Sequence, residues 1–289
     1  MKYNDYVEEL GFSGEELQIL SLIDRFCESE FPDELSLLRE KYDAGDNIFN
    51  EYLMDFANKA DFPVTTLNLY LYLRLLEDTY KIYEERGIGR DIFIETMRGF
   101  SSVCRLPLAR GEGFGLAQPG HRNWMRLLVD GELYKLGRLQ FQLSTAPKDI
   151  ETPEISIKEG ERCLNVHIPR YERFDDELCE NSFSRARVFF KEFYGLEKPV
   201  FLCSSWLLYP WLSEVLPESS NLVKFQKRFE IIDVAENDAG DKWIFGNGSS
   251  FEREFSSVSE YPENTSLRRA AKERLLKGGK LGAALGARL

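Results

Sequence analysis

One stretch, residues 162–208, constrains the fold more than any other because its pattern is that of a complete strand–helix–strand unit. Apolar and polar residues alternate along 163–168, which is typical of a strand with one apolar and one polar face. A second apolar strand is predicted at 199–208, after Gly195 ends the intervening helix. The apolar stripe of that helix consists of Phe183, Ala186, Phe190 and Phe193. The pattern predicts two parallel strands joined by a crossover helix.

Polar side chains lie at the carboxyl ends of these two strands, where units of this kind bind ligands. Asn165 and His167 share the polar face of the first strand, and Ser204 and Ser205 belong to the second. An imidazole titrates near ~6.5, so His167 suits the role of a general base at neutral pH. The alternative is a structural histidine that is hydrogen-bonded to Asn165 or to a backbone carbonyl.

Cys203 raises a competing hypothesis, a cysteine–histidine pair in a thioesterase or amidase. Such a pair requires His167 within hydrogen-bond reach and a third group that orients it. Neither a GxSxG nor a CGSC motif surrounds the cysteine, and cysteines in apolar strands are usually buried. The sequence therefore favours Cys203 as a core residue.

The domain organisation follows from a change of periodicity. Up to about residue 120 the pattern is helical, with a capping box formed by Ser13 and Glu16 at the start of one helix. Residues 105–123 include two prolines, four glycines and His121, a composition typical of a linker. We expect a helical domain over 1–120 and an α/β domain over 121–289.

The second domain is predicted to contain a mixed sheet flanked by helices. Besides the two parallel strands, alternation predicts single strands at 134–143, 229–235 and 241–245, the last two joined as a hairpin. Residues 267–289 carry seven lysines and arginines against one glutamate. We interpret this segment as a solvated basic tail, or alternatively as a docking site for an acidic protein partner.

Composition excludes several classes of function. The net charge of −12 argues against a nucleic-acid-binding protein. The five cysteines include no CxxC pair, so neither a disulfide framework nor a metal site is predicted, and a reducing, cytoplasmic location fits best. No apolar run approaches the roughly 18 residues that a membrane span needs.

Three motifs carry a resemblance to a known family: LGRLQF at 136–141, NVHIP at 165–169 and CSSWLL at 203–208. With the surrounding segments, they resemble the bacterial acyltransferase-domain family that has a helical N-acyltransferase N-terminal domain and a GNAT-like C-terminal domain. The resemblance covers nearly the whole chain. It implies an α+β fold in which two parallel strands splay apart and hold the pantetheine arm of an acyl donor.

The resemblance also implies an activity and a set of site residues. The expected reaction moves an acyl group from acyl-CoA, or from another acyl thioester, to an amine, with no tightly bound cofactor. The likeness places His167, Asn165 and, as a loose counterpart of the family's proton-donating tyrosine, Tyr209 in catalytic roles. The residues expected to contact the donor are Val166, Ile168, Arg170, Arg173, Ser204 and Ser205.

One segment departs from the family pattern. Typical GNAT proteins follow the first splayed strand with a glycine-containing turn whose backbone N–H groups bind pyrophosphate at a helix N-terminus. Residues 170–179 contain no glycine and four carboxylates. Two alternatives for the donor follow: a clamp formed by Arg170 and Arg173, or delivery on another carrier. The alternative function is a non-catalytic ligand- or partner-binding protein on a degenerate GNAT-like fold.

Overall fold

A computed structural model describes residues 2–104, 113–116, 122–170, 172–246 and 255–289. The chain divides into two units, Met1–Glu132 and Leu133–Leu289. The division lies further along the chain than the boundary expected at residue 120, because residues 122–129 form a helix that belongs to the first unit. His121 and most of the expected linker lie outside the described residues.

The first unit is helical, as its periodicity predicts. The predicted capping box is present: the Ser13 hydroxyl accepts the Glu16 N–H, and the Glu16 carboxylate accepts the Ser13 N–H. The most extensively buried helix is α5, whose Asn68 and Tyr72 are buried along with its leucines. The helices are α1 (Gly14–Glu30), α2 (Pro32–Ser36), α3 (Leu38–Asp43), α4 (Asp46–Ala60), α5 (Val64–Glu85), α6 (Arg90–Met97), α7 (Gly99–Val103) and α8 (Arg122–Val129).

The second unit contains a six-stranded mixed sheet in the order β1-β2-β5-β6-β8-β7, and β3 and β4 form a separate ribbon. Only β5 and β6 pair in parallel, and the other neighbours in the large sheet are antiparallel. The strands are β1 (Leu133–Leu136), β2 (Leu139–Thr145), β3 (Ile150–Glu151), β4 (Ser156–Ile157), β5 (Arg162–His167), β6 (Phe201–Ser205), β7 (Glu230–Glu236) and β8 (Gly282–Arg288). The helices are α9 (Asp176–Tyr194), α10 (Leu212–Val215), α11 (Asn221–Gln226), α12 (Ala239–Phe245) and α13 (Ser266–Leu276). This arrangement confirms the predicted mixed sheet flanked by helices.

The predicted strand–helix–strand unit is β5–α9–β6. Gly195 ends α9 in the left-handed conformation, with φ of 67°, as a C-terminal glycine permits. The ring of Phe183 on α9 packs edge-to-face against Phe141 of β2 and Phe201 of β6, with centroid distances of 5.7 and 5.1 Å. The apolar stripe of the helix therefore covers one face of the sheet.

Two local predictions in the second unit are wrong. The single strand expected over 134–143 is a hairpin of β1 and β2, turned at Gly137 with φ of 84°. Because the turn is so tight, the alternation of apolar and polar residues continues from β1 into β2. Periodicity alone therefore does not reveal the turn. The strand expected over 241–245 is helix α12, in which Ile244 and Phe245 are buried. A short apolar run is compatible with either a strand or a helix.

The interpretation of 267–289 as a solvated tail is also wrong. The segment forms α13 and then β8, which lies between β6 and β7. Many of its charges are paired within the chain, including Lys272 with Glu263 at 2.7 Å and Arg288 with Glu180 at 3.3 Å. A docking site for an acidic partner stays a prediction without support from this arrangement.

Strand β8 requires small residues because neighbouring side chains approach it closely. A Cβ atom at Gly286 would lie 2.7 Å from Leu208 Cδ1 and 2.8 Å from Phe229 Cβ.

We expect Gly286→Val to lower the free energy of unfolding by about 1–3 kcal/mol, measured by urea denaturation. The matched change Gly14→Ala, where nothing lies within 4 Å of the added Cβ, should cost less than about 0.5 kcal/mol. Equal effects would contradict the packing of β8.

Candidate functional site

The site is built on a separation between β5 and β6. The two strands pair at only two positions, Leu164 with Phe201 and Asn165 with Leu202. Beyond these pairs, within the described residues, no further pairing joins the strands, although β5 continues to His167 and β6 to Ser205. The inner edges of the two strands are therefore not paired with each other at their carboxyl ends, and we call this unpaired region the opening.

The polar face of β5 opposite α9 carries the candidate base. Val166 pairs with Phe141, whose ring contacts α9, so Val166 points to the α9 side. Since side chains alternate along a strand, Asn165 and His167 point to the other side, where His167 pairs with Gln140 of β2. The predicted sharing of one face by Asn165 and His167 is consistent with this register.

His167 lies in a desolvated, largely uncharged environment. Its Nε2 atom lies 2.9 Å from Oε1 of Gln142 on β2, a geometry that suits an Nε2–H donating to the amide oxygen. Burial disfavours the charged imidazolium and lowers the pKa of His167 to about 4. The imidazole is therefore neutral at pH 7, which is the form that accepts a proton.

Cys203 does not belong to the same face as His167. It follows Leu202 by one residue, and Leu202 is paired with Asn165, so Cys203 points to the α9 side. The cysteine is 1% exposed, and burial raises the pKa of its thiol to about 12. The structure therefore does not bring together the cysteine–histidine pair of the thioesterase or amidase hypothesis.

The two serines of β6 differ in their surroundings. Ser204 is exposed and shares the face of Leu202, which is the face of Asn165 and His167. The hydroxyl of Ser205 accepts the Leu207 N–H at 3.1 Å and caps a short 3-10 helix. Of the two hydroxyls, that of Ser204 is available on the polar side of the opening.

The other residues expected to contact the acyl donor near β5 lie at the end of the strand or just after it. Val166 is 4% exposed and directed into the core, so it can offer only its backbone to the opening. Ile168 and Arg170 are half-buried and follow β5 directly. A Cβ atom at Gly246 would lie 3.3 Å from the Arg170 guanidinium, which places Arg170 beside the end of α12.

Tyr209 follows β6 and the short helix that β6 leads into. It is 7% exposed, and its carbonyl accepts Nε2–H of Gln226 at 2.8 Å. Gly282 of β8 passes close to its ring, because a Cβ atom there would lie 2.9 Å from Tyr209 Cε2. Its hydrophobic cluster contains Trp211, Leu212, Ile244, Phe245, Tyr261, Ala271 and Leu281.

The loop between β5 and α9 is held by a residue that the sequence did not reveal. Arg138, in the turn between β1 and β2, donates Nε–H to the Arg173 carbonyl at 2.8 Å and an Nη2–H to the Glu172 carbonyl at 3.3 Å. Its guanidinium also stacks over Phe174, 5.1 Å from the ring centroid. Because the turn was interpreted as part of a continuous strand, nothing in the sequence pointed to this contact.

Within the described ranges, no cluster of His, Cys, Asp and Glu side chains is arranged to hold a metal ion. The same ranges contain no helix with the length and apolar character that crossing a membrane requires.

Two family models cover almost the whole chain. Residues 133–288 match the GNAT-like C-terminal domain, and residues 1–131 match the N-acyltransferase N-terminal domain. The chain belongs to this GNAT-like family. The resemblance inferred from the sequence motifs is thereby confirmed. Comparison with curated proteins found no significant match.

Several solved structures share the fold. An acyltransferase in complex with decanoyl-CoA aligns over 78% of this chain with 24% identity and a TM-score of 0.65. This chain spans 66% of that protein, just under two thirds of its length. A complex with decanoyl-CoA and teicoplanin aligns over 99% of this chain and 86% of that one, with 20% identity and a TM-score of 0.73. A complex with CoA and 10C-teicoplanin has a TM-score of 0.74 at 21% identity, with the same coverages. At these identities, the likeness establishes the fold.

The lowered pKa of His167 predicts a pH-dependent loss of stability. In the unfolded chain the imidazole binds a proton near pH ~6.5, whereas in the folded chain it does so near 4. The contribution of the neutral His167 to the free energy of unfolding is therefore fully present above about pH 6.5. It falls by up to about 3 kcal/mol as the pH decreases to 4. Urea denaturation should show a smaller loss over this range for His167→Gln than for the wild type. Parallel curves would contradict the buried, neutral imidazole.

Proposed function

We propose that the protein is an N-acyltransferase that moves an acyl group from an acyl thioester, acyl-CoA in the first instance, to an amine. The observation that carries the proposal is the end of strand pairing between β5 and β6 after Asn165 and Leu202, within the described residues. Membership of the GNAT-like family supports it, as do structures of the same fold in which acyltransferases hold decanoyl-CoA or CoA.

The opening between the strands suits a pantetheine arm for a physical reason. Backbone N–H and C=O groups that lose their strand partner need another hydrogen-bond partner. Past Val166 on β5 and Cys203 on β6, the inner backbone edges no longer pair with each other within the described residues. A pantetheine arm is narrow and carries two amides, so it can lie between the edges as an additional strand would. No bound metal or tightly held cofactor is needed for this role.

The proposed chemistry uses the groups at the ends of these strands. The amine nitrogen attacks the thioester carbonyl, a C–N bond forms, and collapse of the tetrahedral intermediate breaks the C–S bond. Backbone N–H groups of β5 stabilise the developing oxyanion, and Asn165 orients the acceptor or the carbonyl. His167 accepts the proton of the attacking nitrogen. Tyr209, which follows β6, donates a proton to the departing thiolate.

The low pKa of His167 favours proton acceptance after, rather than before, the amine attacks the thioester. A base with a pKa of about 4 does not deprotonate a free alkylammonium ion effectively, since proton transfer follows the pKa difference. It can accept a proton from the far more acidic nitrogen of the tetrahedral intermediate. We therefore propose that the amine enters neutral and loses its proton only after attack.

We expect His167→Gln to lower kcat by about 100-fold or more while leaving the Kd for decanoyl-CoA within about twofold of the wild type. Thiol release with a panel of amines measures kcat, and calorimetry with a non-reactive thioether analogue measures binding. The matched control is His121→Gln, which removes the only other histidine and should leave both values unchanged. Full activity of His167→Gln would contradict its role as the base.

A second candidate function is a non-catalytic module that binds an acyl thioester and a partner. The acidic, glycine-free loop between β5 and α9 favours it, because that loop lacks the usual means of binding a diphosphate. Saturable donor binding without thiol release, with every amine and at every pH tested, would identify this function instead.

A further inference from the structure

The N-terminus of α9 is already occupied by a carboxylate of the chain. Asp175 is its N-cap residue, and Oδ1 accepts the Glu177 N–H at 3.1 Å. The pKa of Asp175 is lowered mainly by its hydrogen bond with Arg173, and the N–H groups of Glu177 and Leu178 lower it further. A helix N-terminus that follows a strand is where phosphate commonly binds in such units. Here the same N–H groups bind the chain's own anion.

Three of the cations around this helix end are paired with carboxylates of the chain. Arg173 pairs with Asp175 at 2.8 Å, and Arg228 pairs with Asp176 at 2.7 Å. Lys135 pairs with Glu172 in the preceding loop. Each of these three pairs is neutral without a ligand. A diphosphate placed here would break these pairs or face uncompensated carboxylates.

The described backbone of the loop, residues 168–170 and 172–175, offers no alternative cradle. None of the described residues in 168–175 has a positive φ, so the succession of left-handed and right-handed residues that forms an anion-binding nest is missing there. Arg138 fixes the loop further, because its guanidinium holds the carbonyls of Glu172 and Arg173. Arg138 is 6% exposed, and rearranging the loop would remove two acceptors of a buried cation.

We infer that this enzyme recognises its donor through the acyl-pantetheine portion and gains almost no binding energy from a diphosphate at the N-terminus of α9. The inference rests on the proposed function and adds the donor specificity of the same site. Asp175 and Glu177 are the residues that set this specificity, because the Asp175 carboxylate accepts an N–H group that a phosphate would need and Glu177 adds a second negative charge in the first turn of α9. Acyl-pantetheine should consequently serve as well as acyl-CoA.

The direct test is a calorimetric comparison of two donor analogues on the full chain, the decanoyl thioethers of CoA and of pantetheine. We expect Kd values within about threefold of each other, a difference of about 0.65 kcal/mol. A CoA analogue that binds more than about 30-fold tighter would overturn the inference and leave the proposed function intact. If neither analogue binds, the proposed function itself fails.

Variants that remove the two carboxylate charges test whether Asp175 and Glu177 weaken binding of the CoA diphosphate. Asp175→Asn/Glu177→Gln should tighten binding of the CoA analogue by about fivefold or more without changing that of the pantetheine analogue. Asparagine is as good an N-cap as aspartate, so the helix should remain folded. The matched control, Glu192→Gln at the exposed, C-terminal end of α9, should change neither value. Unchanged binding of the CoA analogue by the double variant would count against the inference.

Arg173→Ala separates the inference from its main competitor, in which Arg173 leaves Asp175 and clamps the diphosphate. Arg173 has an 82% exposed side chain, so removing it should not disturb the fold. Our inference predicts unchanged binding of the pantetheine analogue and a loss of no more than about threefold for the CoA analogue, because removing Arg173 leaves the Asp175 carboxylate unpaired. A selective loss of about tenfold or more for the CoA analogue would establish the clamp and overturn the inference.

Discussion

The opening between β5 and β6 depends on the strands that lie on their outer sides. β2 pairs with β5 as far as His167, and β8 pairs with β6 as far as Ser205, in both cases beyond the last pairing between β5 and β6. Each inner strand is thus held by its outer hydrogen bonds while its inner edge is left without a strand partner. Strand β8 comes from the C-terminal segment, so the shape of the candidate site depends on the last residues of the chain.

Two kinds of electrostatic environment meet at the end of β5. His167 is desolvated by burial, and the cost of desolvating the imidazolium lowers its pKa. A few residues later, the loop into α9 carries carboxylates that are paired with Lys135, Arg173 and Arg228. The first environment suits a neutral proton acceptor, and the second disfavours added phosphate. Both properties agree with a site that recognises the uncharged part of an acyl donor.

Sequence reasoning found the elements whose pattern is local. Alternation along β5 and the helical stripe of α9 predicted the parallel unit and the face shared by Asn165 and His167. It missed β8, because the glycines and alanines within 282–287 are poor indicators of a strand, although the close approach of Leu208 and Phe229 requires a glycine at 286. It also missed Gln142 and Arg138, whose contacts with His167 and with the α9 loop join residues 25 to 35 positions apart.

The central claim is that the separated ends of β5 and β6 hold the thioester arm. A crystal structure of the protein with the thioether analogue of decanoyl-CoA tests it most directly. The account predicts pantetheine density between residues 166–168 and 203–205, with its amides hydrogen-bonded to both backbone edges and its acyl carbonyl position near His167. Density for the arm elsewhere, with β5 and β6 paired through to their ends, would contradict it.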